Sequence, residues 1–111
     1  ESARAGLDTL SLRQGRKVAL MGDMKELGDF SEEAHREVGA YARARVDVLI
    51  AVGDFEKDYG EGFGSQDFHG YPTYEDAVIA LPNLLDEGDL VYLKASRSMQ
   101  FERFLSVLER I

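Results

Sequence analysis

Gly22-Asp23-Met24-Lys25-Glu26-Leu27-Gly28 gathers two glycines and charges of both signs into one short stretch directly behind an apolar run. A carboxylate in that place could hold a ribose hydroxyl, a substrate ammonium, or magnesium through water. It could equally satisfy only the amides of a turn. The mixture of charges and glycines favours a ligand-facing loop. A second group, Lys94-Ala95-Ser96-Arg97-Ser98, puts two cations and two hydroxyls into five residues of an acidic chain. Placed between a strand and a helix, this set suits an anion, because helix-start amides attract negative charge and an arginine fork grips carboxylate or phosphate. The alternative is a serine cap flanked by solvated cations.

Other candidates carry less. His35 falls beside the expected buried face of a helix and reads as a packing histidine with one satisfied nitrogen, although it could reach a ligand. His69 has no carboxylate or second histidine at ligand spacing and reads as structural. Gly60-Glu61-Gly62-Phe63-Gly64 resembles a nucleotide loop only superficially: it follows no strand, and no Gly-Lys-Ser/Thr occurs in the chain. Gly53-Asp54-Phe55 reads as a helix cap.

These groups need elements to hold them. Strands are predicted from Arg16–Asp23, Val46–Asp54 and Asp89–Lys94, with a shorter edge strand at Phe68–Tyr71. Helices are predicted on the stripes Ala3, Gly6, Leu7, Leu10; Ala34, Val38, Tyr41, Ala42, capped by Ser31; Phe55, Tyr59, Phe63, weakened by glycines; and Ala77, Val78, Leu81, Leu85, capped by Thr73 and kinked or stopped at Pro82. The final helix carries Phe101, Phe104, Leu105, Leu108 and Ile111. Truncating Leu105 to alanine is expected to cost about 2–5 kcal/mol, as for a core leucine. Continuous apolar strands alternating with amphipathic helices predict an α/β fold, a Rossmann-like three-layer α/β/α sandwich with a mostly parallel sheet. Ligands of such sheets gather beyond the carboxyl ends of the strands. Both charged groups fall there.

Composition narrows the classes. The 111 residues suffice for one domain, with 44% hydrophobic and 31% charged residues in the globular range. The absence of cysteine excludes a disulfide scaffold, a thiolate metal site and a cysteine nucleophile. Twenty-one acidic against thirteen basic residues give a net charge of −8, which argues against nucleic acid and anionic lipid as partners. The apolar runs are too short for membrane insertion. The chain opens on Glu1 and shows no signal peptide; a piece of a longer protein is expected.

The stretch Val18 to Gly28, then Ser31-Glu32-Glu33 and His35-Arg36-Glu37-Val38-Gly39, resembles the C-terminal domain of Mur ligases. Within them it is most similar to the branch that adds D-alanyl-D-alanine to UDP-N-acetylmuramoyl-tripeptide. Asp47–Gly53 and Lys94-Ala95-Ser96-Arg97 with Glu102 fit the same pattern, with Ala95 where the family has glycine. The resemblance covers essentially the whole chain, 1–111. It implies a bacterial, cytoplasmic, three-domain ligase of peptidoglycan synthesis, whose N-terminal and central ATP-binding domains are not in this sequence. ATP would phosphorylate the substrate carboxylate, the amine would attack the acyl phosphate, and an amide would form. Magnesium would offset the phosphate charge. The C-terminal domain would close over the site, with Asp23, Lys94, Ser96 and Arg97 facing dipeptide and nucleotide. No catalytic residue and no metal ligand is assigned. Lacking the P-loop, the domain alone is expected to be inactive and to bind neither ATP nor magnesium tightly. A closing domain adding another amino component, of the folylpolyglutamate or diaminopimelate type, is the alternative within the superfamily. A receiver-like signalling module, phosphorylated at Asp54, is the alternative outside it.

Overall fold

Five consecutive buried positions in Val48–Val52 and five in Lys17–Gly22 leave these segments no solvent face, so each must lie inside a sheet covered on both sides. A computed structural model describes residues 3–24 and 30–111 and shows that sheet. In chain order the elements are α1 (Ala3–Ser11), β1 (Lys17–Gly22), α2 (Ser31–Arg43), β2 (Val48–Val52), α3 (Glu56–Phe63), β3 (Phe68–Tyr71), α4 (Tyr74–Leu84), β4 (Leu90–Lys94) and α5 (Phe104–Leu108). The four strands are all parallel, in the order β3-β2-β1-β4. Val18 stands beside Val48 on one side and Val91 on the other. Strand β3 is an edge, as its short length predicts.

Side chains alternate across the sheet and build two cores. Ala19, Met21, Leu49 and Ala51 meet Leu7 and Leu10 of α1, Val38 and Ala42 of α2, and Tyr59 and Phe63 of α3. On the other face, Val18, Leu20, Ile50 and Val52 meet Ala77 and Leu81 of α4 and the rings of Phe101 and Phe104. The three-layer α/β/α architecture follows. Among the described residues no helix is long and apolar enough to cross a membrane.

The glycines of α3, expected to weaken it, instead let it lie close against α2. A Cβ on Gly62 would run into the carbonyl of Arg36, and one on Gly39 into the carbonyl of Tyr59. Helix packing at this range outweighs the roughly 1 kcal/mol that a glycine costs inside a helix.

Several local expectations need correction. The cap of α2 is Phe30, without a side-chain bond, and Ser31 is the first helical residue. The buried face of α2 runs His35, Val38, Gly39 and Ala42, while Ala34 and Tyr41 are only half-buried. Helix α4 is capped by Thr73, whose Oγ1 accepts the Asp76 N–H at 3.1 Å, but it continues through Pro82 to Leu84. The proline forgoes the bond that an N–H there would give the Val78 carbonyl, and the helix ends two residues later. The expected final helix divides into 3-10 turns at Arg97–Met99 and Phe101–Arg103, followed by the short α5. Gln100 interrupts it with φ of 55°. That break rotates the stripe: Phe104 is fully buried, whereas Leu105 is 52% exposed. The large truncation cost expected at Leu105 belongs to Phe104.

Candidate functional site

Strand β1 has β2 on one side and β4 on the other. The chain leaves β1 for α2 on one face of the sheet and leaves β4 for the 3-10 turns and α5 on the opposite face. Divergent exits beyond the carboxyl ends of β1 and β4 mark the place where ligands of doubly wound sheets bind. Asp23 and Met24 stand on one side of it, Lys94, Ala95, Ser96 and Arg97 on the other. Lys25 to Gly28 of the first charged group lie outside the described residues.

Asp23 is the hub. It is 2% exposed, yet its carboxylate is fully engaged: Oδ2 accepts the Asp54 N–H and Oδ1 the Phe55 N–H, both at 3.0 Å. A buried charge is tolerable when amides surround it, here those leading into α3. Its own carbonyl accepts the Ser96 N–H at 2.8 Å. One residue thus joins the ends of β1, β2 and β4. Gly53 makes room for it: φ is 123°, and a Cβ there would come within 2.6 Å of the carboxylate. Of the two readings of Asp23, the geometry shows amide satisfaction, in the neighbouring turn rather than its own.

Tyr59 supports the hub from below. Its buried hydroxyl donates to the Gly22 carbonyl at 2.8 Å. Burial first, and the Asp23 carboxylate second, push its ionisation well above the ordinary phenol range, which keeps it a donor. His35 is fully buried and stacked on Phe55, with ring centroids 4.3 Å apart. Its Nε2 accepts the Met24 N–H at 3.0 Å, and its Nδ1–H donates to the Ser31 carbonyl at 2.5 Å. Both nitrogens are therefore used, where one was expected. The spacing His35-Val38-Gly39-Ala42 places the ring on the buried stripe, a signal present in the sequence.

On the facing side, Ser96 is almost buried, with its carbonyl accepting the Met99 N–H at 2.9 Å. Lys94, half-buried, pairs with Met21 at the last register position of β4. Arg97 is exposed and begins a three-residue 3-10 turn. So short a turn supplies no helix-dipole anion site, and the recognition capacity rests on the side chains themselves. Lys94 and Arg97 are cations of the kind that binds carboxylate or phosphate. Among the described residues no three His, Asp or Glu side chains converge as metal ligands. His69 is half-buried in β3 beside Ile50.

Residues 1–97 match the family model for the Mur ligase glutamate ligase domain. Curated relatives named UDP-N-acetylmuramoyl-tripeptide–D-alanyl-D-alanine ligase include one from Bacillus subtilis, 32% identical over 85% of this chain and 22% of its own length. Another, from Synechocystis, is 36% identical over 97% of this chain and 25% of its own. The chain spans about a quarter of the length of these relatives. Among solved structures, a MurF crystal structure from Acinetobacter baumannii superposes with a TM-score of 0.87 at 31% identity, covering 99% of this chain and 26% of that one. MurF ligase from Thermotoga maritima, in complex with ADP, gives a TM-score of 0.74 at 29% identity, covering 99% of this chain and 26% of that one.

Proposed function

We propose, from the premise that this chain belongs to the Mur ligase family and has the fold of its C-terminal domain, that it is the closing domain of an ATP-dependent ligase joining D-alanyl-D-alanine to UDP-N-acetylmuramoyl-tripeptide. The observation that carries the reading is the Asp23 hub: it fixes the Ser96 loop against β1, so that Arg97 emerges at the carboxyl end of the sheet from a held backbone. Similarity to ligases with that name over nearly all of this chain supports the substrate class. In this reading the domain covers 1–111 and works in the bacterial cytoplasm, joined to N-terminal and central domains that hold the UDP-sugar peptide and ATP.

The roles divide by geometry. Arg97 grips the carboxylate of the incoming dipeptide with its fork, Lys94 adds positive charge at the β4 end, and Ser96 and Asp23 position both loops. ATP bound to the other domains supplies the activated acyl group; this domain binds, orients and excludes water. Magnesium accompanies ATP on the other domains in this reading. Isolated, the chain is expected to show no micromolar Mg-ATP binding in calorimetry and no hydrolysis.

The receiver-like alternative has lost its acidic pocket, since Asp23 faces backbone amides beside Asp54 instead of standing open with it. The test of substrate class is phosphate release by the full-length ligase carrying this domain, with the UDP-linked tripeptide and one amino component at a time. D-alanyl-D-alanine should drive turnover. Preference for diaminopimelate or glutamate would move the domain to another branch.

A further inference from the structure

We infer that His35 is a positioning residue for this site, acting as a neutral imidazole protonated at Nδ1 that sets where Met24, and through it Asp23, stands. The tautomer follows from the partners. The Ser31 carbonyl can only accept, so Nδ1 carries the proton; the Met24 N–H can only donate, so Nε2 is bare. A single ring thus ties the start of α2 to the residue after Asp23.

Its other contacts converge on the same hub. Phe55, stacked on the ring at 4.3 Å with 13° between planes, gives its N–H to Asp23. Tyr59, edge-on at 5.0 Å, donates to the carbonyl of Gly22. His35 therefore touches Met24, which adjoins Asp23, Phe55, which bonds to it, and Tyr59, which bonds to its neighbour Gly22; Asp23 in turn holds Ser96. Phenylalanine would keep the stack but neither hydrogen bond. Glutamine could reach one partner without filling the space between the rings. Only an imidazole combines a flat apolar body with an acceptor and a donor at opposite edges. The ring lies in the core with no exposed surface, so its role is indirect: it orients backbone that carries Arg97 rather than meeting substrate.

The structural half of the inference is tested on the chain itself by nitrogen-15 NMR. A scalar coupling across the Met24 N–H···Nε2 bond and the spectrum of an Nδ1-protonated ring are expected. Absence of the coupling, or protonation at Nε2, overturns the inference without any variant. In His35→Phe, Met24 amide exchange should rise more than tenfold while Ile50 in the central sheet keeps its protection. An equal rise at both would mean general destabilisation and would contradict a positioning role. The functional half rests on the ligase reading. In the full-length enzyme His35→Phe should raise the dipeptide KM roughly ten- to a hundredfold, the scale expected for misplaced binding groups, with the ATP KM moving less than threefold. An unchanged dipeptide KM would overturn it. If the wild-type enzyme makes no amide with D-alanyl-D-alanine, the ligase reading fails, and the coupling measurement still decides what His35 does. Should His35→Phe not fold, the wild-type coupling and tautomer decide the matter alone.

Discussion

At the carboxyl end of the sheet a buried carboxylate bonds two backbone amides across the strands, while at the amino end the polar ties lie at the water boundary. There Arg16, with 39% of its side chain exposed, reaches the largely buried Asp89 at 2.6 Å, the exposed Asp86 at 3.6 Å and the Leu84 carbonyl at 3.1 Å. Exposed ion pairs contribute about 0–1 kcal/mol and leave long side chains free to rearrange. Bonds from a short, desolvated carboxylate to fixed amides are stronger and fix position. The amino-end side is also where open grooves of about 440 and 510 Å³ lie along α4, β4 and α5, lined by Asp86 and Glu87. Asp86 and Glu87 line both grooves, with Arg110 on the larger, so the walls carry net negative charge. Among the described residues, these acid-lined grooves and the Asp23 bonds therefore sit at different ends of the sheet.

The comparison breaks first at Asp23. Asp23→Ala should lose roughly 3–6 kcal/mol in urea unfolding, from two bonds to an ionised carboxylate at about 1.5–3 kcal/mol each. Asp23→Asn should recover only part, since one end of the amide presents a donor to another donor. A loss under about 1 kcal/mol would put both ends on an equal footing. Next, Tyr59→Phe should cost about 1–1.5 kcal/mol at neutral pH. Its folded-state ionisation is raised, so its stabilising contribution is complete below the unfolded phenol value near 10 and declines as the pH rises beyond it. Above that point wild-type stability should fall more steeply than that of Tyr59→Phe, by about 1.4 kcal/mol per pH unit. Parallel alkaline curves would remove Tyr59 from the hub.

At the amino end the expected effects shrink. Arg16→Ala should cost about 1–1.5 kcal/mol, since the half-exposed arginine leaves Asp89 with the Asp86 N–H, and somewhat less in 1 M salt. A loss near 3 kcal/mol would invert the contrast between the ends. The smallest effect is expected at Leu105→Ala, about 0.5 kcal/mol, since the side chain is half in water. A core-sized loss would restore the continuous final helix that its spacing suggests.

The alternation of strand and helix was legible because burial on both faces leaves an apolar run nothing else to be. The clustering of both charged groups at the carboxyl end was legible too, since parallel strands leave their polar turns at one end. Asp23's partners were not. They lie 31 and 32 residues away, and only the parallel register that sets Gly22 beside Val52 brings them alongside. His35 was misplaced by one position on its helix because the stripe was drawn through Ala34 and Tyr41. The final helix was misread because spacing at 101, 104, 105 and 108 cannot reveal a left-handed Gln100.

The central claim is that the held carboxyl end presents Arg97 to the amino component. The direct measurement is the KM for D-alanyl-D-alanine of the full-length ligase with Arg97→Lys, beside its KM for ATP. Lysine keeps the charge but loses the two-pronged grip. Loss of about 1.5–3 kcal/mol corresponds to a rise of roughly one to two orders of magnitude in the dipeptide KM, with the ATP KM nearly constant. Unchanged values for both substrates, or a rise confined to ATP, would contradict it.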